Sequence, residues 1–323
     1  YSAAGGGVII ALMALNKIHI ASLGFGEFTT AFLAGLNYGL GFMLIHMLHC
    51  TVATKQPAMT AASFAEQVDS NEGSKAVDNK LAKLLIDVCR SQSVAVFGNV
   101  SIAVLLAAGI AFGYAHTHGQ PLLNEAVTAY QFKSIEIFTQ PTLWYAAIAG
   151  VWLFCSGIIA GFFDNRSDYL NLRQRLPFNP FLRKIMPPEP RRRLAAYIHK
   201  HYGSLMGNFI FGMLLGMTGY FGHLFGLPLD IRHVAFSSAN LGYAAISGHA
   251  DVFTFILSLA SVLAIGMVNL VVSFSLALAV ALRSRGTRLG SIRNLLKSFW
   301  SQVKANPLIL LYPVQVNNKD NTK

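Results

Sequence analysis

Three groups of polar side chains interrupt otherwise apolar sequence. Lys17 and His19 fall late in the first apolar run, Asn37, His46 and His49 in the second, and Asp230, Arg232 and His233 between the last two. A charged side chain at the centre of a bilayer costs about 3 kcal/mol, so such groups are kept for pairing, for an ion or solute path, or for a proton relay. Lys17, His19 and Asn37 can pair with one another or line a water-filled path, and the Lys17 stem is long enough to snorkel. His46, His49 and Cys50 stand at i, i+3 and i+4, one face of a helix. Imidazoles so placed can relay protons, bind metal or haem, or hydrogen-bond within a packed interface. No HExxH and no further ligands at metal-binding spacing accompany them, so neither a metal nor a cofactor is expected. Asp230 and Arg232 suit a carboxylate–guanidinium pair that shapes their loop, with His233 beside it able to respond to pH.

The elements that position these groups are set by composition. Of 323 residues, 54% are hydrophobic and 12% charged, about half the charge of an average soluble domain, which excludes an ordinary soluble enzyme and predicts a polytopic membrane protein. Six stretches reach the length of about 20 apolar residues that a spanning helix needs. They are residues 4–22, 27–53, 94–115, 142–163, 205–227 and 252–282. The expected fold is therefore an all-α membrane helix bundle over residues 1–283, followed by a basic amphipathic helix and tail over 284–323. Cys50, Cys89 and Cys155 lie in or beside apolar runs without CxxC spacing and read as small buried hydrophobes. The chain starts at Tyr1 rather than a methionine, which predicts a further N-terminal region.

Charge then orients the bundle. Of 25 Lys and Arg residues, 22 fall in residues 55–91, 164–204 and 283–323, which are alternate connections. The positive-inside rule places these segments, and both termini, in the cytoplasm. The second of them carries the run Arg191-Arg192-Arg193. Anionic lipid headgroups are the default partner for such juxtamembrane clusters, with DNA phosphates or a protein as the sharper alternative. In the third, Leu289, Ile292, Leu296, Phe299 and Val303 share one helical face with basic residues around it, the pattern of a helix lying in the membrane interface.

The connection over residues 228–251 is too polar to span and too apolar for a solvated loop, and it is expected to fold back onto the membrane domain. Gly35 with Gly39, and Gly212 with Gly216, have the spacing that lets two helices approach closely. Three spans before and three after the central connection would lie in opposite orientations, the arrangement of an inverted 3+3 repeat.

Several motifs together resemble a known family. They are Leu36-Asn-Tyr-Gly-Leu-Gly-Phe42, Ala53-Thr54-Lys55-Gln56-Pro57-Ala-Met-Thr-Ala-Ala62, Cys89-Arg-Ser-Gln-Ser93 leading to Gly98-Asn-Val100, and Phe225-Gly-Leu-Pro-Leu-Asp-Ile-Arg-His-Val234. In this order, over residues 24–280, the chain resembles the bacterial transmembrane family labelled site-specific recombinase, of the gonococcal recombinase type. That resemblance implies a multi-pass protein of the bacterial inner membrane and, by label, DNA recombination. The residues assign no catalytic group. His199-Lys-His-Tyr202 near Arg191, Arg192 and Arg193 is the nearest imitation of a tyrosine recombinase site and lacks the remaining spacing, and no activated serine is visible. Two functions follow as expectations. One is a membrane-anchored factor associated with DNA or the envelope through its basic face. The other is a transporter or channel with a path lined by Lys17, Asn37, His46 and His49.

Overall fold

The computed structural model describes residues 1–52, 74–284 and 292–310; the motif loop Thr54, Lys55, Gln56 and Pro57 and the polar tail lie outside the described residues. Within them the chain is helical, with α1 Ser2–Ser22, α2 Glu27–Met47, α3 Ser74–His118, α4 Glu125–Ile135, α5 Thr142–Tyr169, α6 Leu172–Arg175, α7 Pro180–Ile185, α8 Pro188–Phe225, α9 Val234–Ser247, α10 Val252–Ser284 and α11 Ile292–Ala305. Six of these, α1, α2, α3, α5, α8 and α10, contain stretches long and apolar enough to cross a bilayer, and the chain is a multi-pass membrane protein. Phe97, Leu105, Phe112, Ile158, Phe162, Met267 and Val271 point outward from the bundle, which is where lipid rather than water would meet them.

The local chemistry explains where helices stop. The apolar run to Ala53 predicts a longer second span, yet α2 ends at Met47. His49 takes φ 54, its N–H meets the His46 carbonyl at 3.0 Å and the Cys50 N–H meets the Ile45 carbonyl at 2.9 Å. Those paired bonds are a Schellman turn, which satisfies carbonyls left open at a helix end. At the other boundary, Pro188 and Pro190 fall in the first turn of α8, where a missing N–H removes no helical bond. The prolines between residues 177 and 190 thus split the basic segment into α6, a 3₁₀ turn, α7 and the start of α8.

Packing is organised around one close crossing. Gly35 of α2 lies on Gly216 of α8 and Gly39 lies on Gly212; a Cβ on either α8 glycine would fall on the α2 backbone. With no side chains between them the two helices meet backbone to backbone, so van der Waals contact holds them where the hydrophobic effect is weak. On one side of this pair stand α1 and α3, and on the other α5 and α10.

Two asparagines clasp these flanks in matching ways. Asn99 of α3 donates through Nδ2 to Ala3 O of α1 at 2.5 Å and to Thr51 O, just past α2, at 2.9 Å. Asn269 of α10 donates through Nδ2 to Ala146 O of α5 at 2.8 Å and to Arg232 O, just past α8, at 3.0 Å. One turn beyond each clasp a glycine lets the helices touch. A Cβ on Gly7 would lie 2.9 Å from Asn99 O and 3.0 Å from Ile102 Cβ, and one on Gly150 3.1 Å from Asn269 O and 2.8 Å from Val272 Cβ.

The connection after α8 turns inward. Gly226 closes α8 in the left-handed region, φ 62, and residues 227–233 then run down into the bundle. At its lowest point the His233 ring packs against Phe42, Phe211 and Phe236, with centroids 6.4, 5.7 and 6.1 Å away. Phe42 and Phe211 lie roughly 20 Å, at 1.5 Å per residue, from the Glu27 end of α2 and the Phe225 end of α8. From there α9 climbs back, packed on α3, α10, α1 and α4. Val234, Ala235, Ser238, Ala239, Leu241, Tyr243 and Ala244 are all fully buried. Backbone that is not helical is tolerated at such depth only under protein cover. Here Asn269 supplies part of that cover, accepting the Val234 N–H at 3.0 Å while donating to Arg232 O.

At the far end of the bundle α11 rests on the start of α3. Leu295 and Phe299 pack against Leu81 and Leu85, with Phe274 and Leu278 of α10 completing the cluster. Leu296 and Trp300 remain exposed beside Arg293, Lys297 and Lys304.

Candidate functional site

The descending segment and α9 enclose a cavity of about 130 Å³ between α1, α2, α4 and α8. Its walls are polar in a part of the molecule that is otherwise apolar. Lys17 enters from α1 and Tyr38 from α2; Asp230, Arg232 and His233 come from the descending segment; Ser237 and Asn240 come from α9. His233, Ser237 and Asn240 recur at helical spacing, so a single face of α9 lines the space. Gln131 and Ser134 of α4 close the opposite wall.

Asp230 and Arg232 form a rigid floor. The Arg232 Nη1 donates to Asp230 Oδ2 at 2.7 Å and to Ile231 O at 2.7 Å, and its Nε donates to Ser134 O at 2.6 Å. Its guanidinium also sits 5.4 Å from the Tyr145 ring centroid, a cation–π distance. The second Asp230 oxygen accepts the Ile231 N–H at 2.7 Å. Both carboxylate oxygens are thus engaged, and the Arg232 side chain that pairs with Asp230 also ties the descending segment to α4.

His233 is the most enclosed polar group here, 2% exposed. Its Nδ1 accepts the Ala235 N–H at 3.4 Å and caps α9, whereas Nε2 has no partner among the described residues. A ring whose Nδ1 accepts carries its proton on Nε2, so an unanswered N–H donor is left inside the bundle. Asn240 Oδ1 is likewise without a partner, and Lys17 makes no hydrogen bond or ion pair with any described residue.

The remaining polar residues singled out by sequence lie elsewhere. Asn37 donates to Met13 O at 2.8 Å and accepts from Asn16 Nδ2 at 3.0 Å, which fastens α2 to α1. His46 pairs with His201 of α8, Nε2 to Nδ1 at 3.1 Å, on the basic side of the bundle. His49 lies beyond α2 in its terminating turn and is exposed, so the shared helical face with His46 is not formed. The spacing argument failed because it assumed a helix continuing past Met47.

Arg192 and Arg193 are exposed at the start of α8, with Arg193 Nε 3.1 Å from Glu189, and Arg191 donates to Met186 O at 3.4 Å. The His199–Tyr202 run is dispersed around its helix. His199 bonds Ser167 Oγ at 3.0 Å, His201 meets His46, and Tyr202 packs edge-on to Phe163. Consecutive helical residues point about 100° apart, so these groups do not converge on one phosphate. An open depression of about 480 Å³ lies beside them, lined by Asp164, Asp168, Arg173, His199 and Lys200. Among the described residues no three His, Cys, Asp or Glu side chains gather as a metal site.

Lys17 and the Asp230, Arg232 and His233 cluster stand on separate stretches of sequence, and the fold brings all four to one cavity. Sequence reasoning overlooked Tyr38, Ser237, Asn240, Asn99 and Asn269. A lone asparagine inside an apolar span is the signal that would have found the last two, since an amide at that depth requires partners.

No curated protein and no solved structure matches the chain. A family model described as site-specific recombinase matches residues 1–313. With nearly the whole length covered, spans and motif loops included, the chain belongs to the site-specific recombinase family.

Proposed function

We propose that this protein is a multi-pass protein of the bacterial inner membrane, with both termini cytoplasmic, that passes a small solute or ion along the polar cavity under α9. The observation that carries the reading is the descending segment at residues 227–233, which ends in the buried, unanswered His233 donor roughly 20 Å below the helix ends. Half-helices that begin near mid-membrane and face a polar space are a feature of transport proteins. The matching clasps of Asn99 and Asn269 support reading the two halves as an inverted repeat, with the α2–α8 glycine crossing at its centre.

Charge supports the orientation. Basic residues cluster at the end of the bundle opposite Gly226, so under the positive-inside rule the segment over residues 227–233 descends from the outside. On the cytoplasmic side, Arg192, Arg193 and the basic face of α11 contact anionic headgroups, with Trp300 at headgroup depth. The family description names DNA recombination, and the dispersal of residues 199–202 around α8 argues against a recombinase centre within this chain.

The test is solute flux into proteoliposomes containing the purified protein, followed by stopped-flow light scattering with urea, glycerol and small salts. At least one small solute should cross faster than in protein-free vesicles. If none does, and the protein binds DNA with a steep salt dependence that anionic vesicles fail to compete away, the DNA-associated reading replaces this one.

A further inference from the structure

The charge of the cavity lining and its deepest donor favour one kind of ligand. Lys17 offers an ammonium, and His233 offers Nε2–H, with Nδ1 committed to the α9 cap. Tyr38 adds a hydroxyl that can donate, and the unpartnered Asn240 Oδ1 is an acceptor that a water beside the ligand can answer. Asp230 is the acidic group facing the space, and its two oxygens are already engaged by Arg232 and the Ile231 N–H. Lys17 and Arg232 against one carboxylate leave the lining with one excess positive charge. The start of α9 adds the positive end of a helix dipole. A cavity with a buried spare donor, one excess positive charge and its carboxylate already paired to an arginine calls for an acceptor.

Size narrows the choice further. A cavity of about 130 Å³, in which a single water needs roughly 10–15 Å³ on the same measure, accommodates a monovalent anion of a few heavy atoms together with water. Removing such an ion from water is costly, and a buried imidazole donor with an ammonium in the same lining offsets this in a low-dielectric site.

From this we infer that the cavity under α9 is a site for a small monovalent anion, such as formate, nitrite, nitrate or chloride, held by Lys17 and the His233 Nε2–H. The inference rests on the solute-path reading and names the class of solute it carries. Both residues line the same cavity, Lys17 supplying charge and His233 a directed donor.

The experiment is flux of formate and nitrate, beside urea as a neutral probe, in proteoliposomes of the whole chain, with potassium and valinomycin clamping the potential. The wild-type protein should pass the anions faster than urea. Lys17→Met should lower anion flux by about tenfold or more, the equivalent of one lost charge-assisted hydrogen bond, and leave urea flux unchanged. Lys17→Arg should restore part of it. His233→Asn, which keeps a capping oxygen for α9 and withdraws the donor from the Nε2 position to a shorter amide, should lower anion flux as well. Urea passing while both anions are excluded overturns the anion assignment and leaves the path standing. Anion flux indifferent to Lys17→Met in a protein that elutes as a single species overturns the assignment too. No flux of any probe overturns the path itself. The wild-type ratio of anion to urea flux decides the matter even if a variant fails to fold.

Discussion

Asn99 and Asn269 do the same work in opposite halves of the molecule: each donates to the carbonyl of an adjacent span and to a carbonyl in the segment that leaves a glycine-crossed helix. Both are fully buried. An amide in that position holds three chain segments together at once, and its loss leaves buried carbonyls without a donor. Asn99→Ala and Asn269→Ala should therefore each destabilise the detergent-solubilised protein by about 2 kcal/mol. The melting temperature followed by fluorescence-detected size exclusion checks this. A drop for one and none for the other would contradict their equivalence.

The glycine crossing predicts a contrast between two chemically identical substitutions. A Cβ at Gly212 falls on the backbone of Gly39, whereas one at Gly109 of α3 meets nothing within 4 Å. Gly212→Ala should force α2 and α8 apart and lower the melting temperature. Gly109→Ala should be neutral or stabilising by about 0.5 kcal/mol, because only the unfolded chain loses freedom. Equal melting temperatures for the two would argue against the close approach.

His46 lies with His201 on the basic side, away from the cavity. His46→Phe should then leave solute flux unchanged while Lys17→Met alters it. A loss of flux in the His46 variant would place the path along α2 instead.

Asp251 caps α10, accepting the Phe253 and Thr254 N–H groups at 2.9 and 3.1 Å and the Thr254 hydroxyl at 2.7 Å. The Thr254 side chain first, and then its backbone N–H, hold the Asp251 carboxyl below the usual carboxylate range. A pKa depressed by folding contributes stability above the unfolded value, and that contribution fades as pH falls through the folded one. The melting temperature of Asp251→Ala should lie below wild type near neutrality, and the gap should close on acidification. A gap that widens in acid would reverse the assignment.

Orientation is testable by labelling. In a variant whose three native cysteines are replaced by alanine, Leu227→Cys and Arg192→Cys present thiols at opposite ends of α8. A membrane-impermeant maleimide added to intact cells should label position 227 alone, as the distribution of Lys and Arg requires. Labelling at 192 would invert the topology.

Hydropathy and charge by themselves determine much of this protein. Runs of about twenty apolar residues leave a chain in lipid no choice but helices, because each backbone group must find its partner within the segment. Paired glycines four apart announce a close crossing, and a stretch such as residues 228–251, too polar to span and too apolar to be free, announces a return into the bundle. The positions of Lys17, Asp230, Arg232 and His233 were legible as polar residues in costly places. What the sequence left open was their meeting. Lys17 and His233 are more than two hundred residues apart, and nothing local in either stretch refers to the other. Helix ends were also decided by tertiary contacts. Thr51, just past α2, answers Ser2 and Asn99 on neighbouring helices, and His49 is carried out of the helical face that spacing assigned to it. The cavity exists because the α2–α8 crossing, the Asn269 clasp and the burial of α9 together fix how deep the descending segment goes. Those are contacts between distant segments, and only the folded chain decides them.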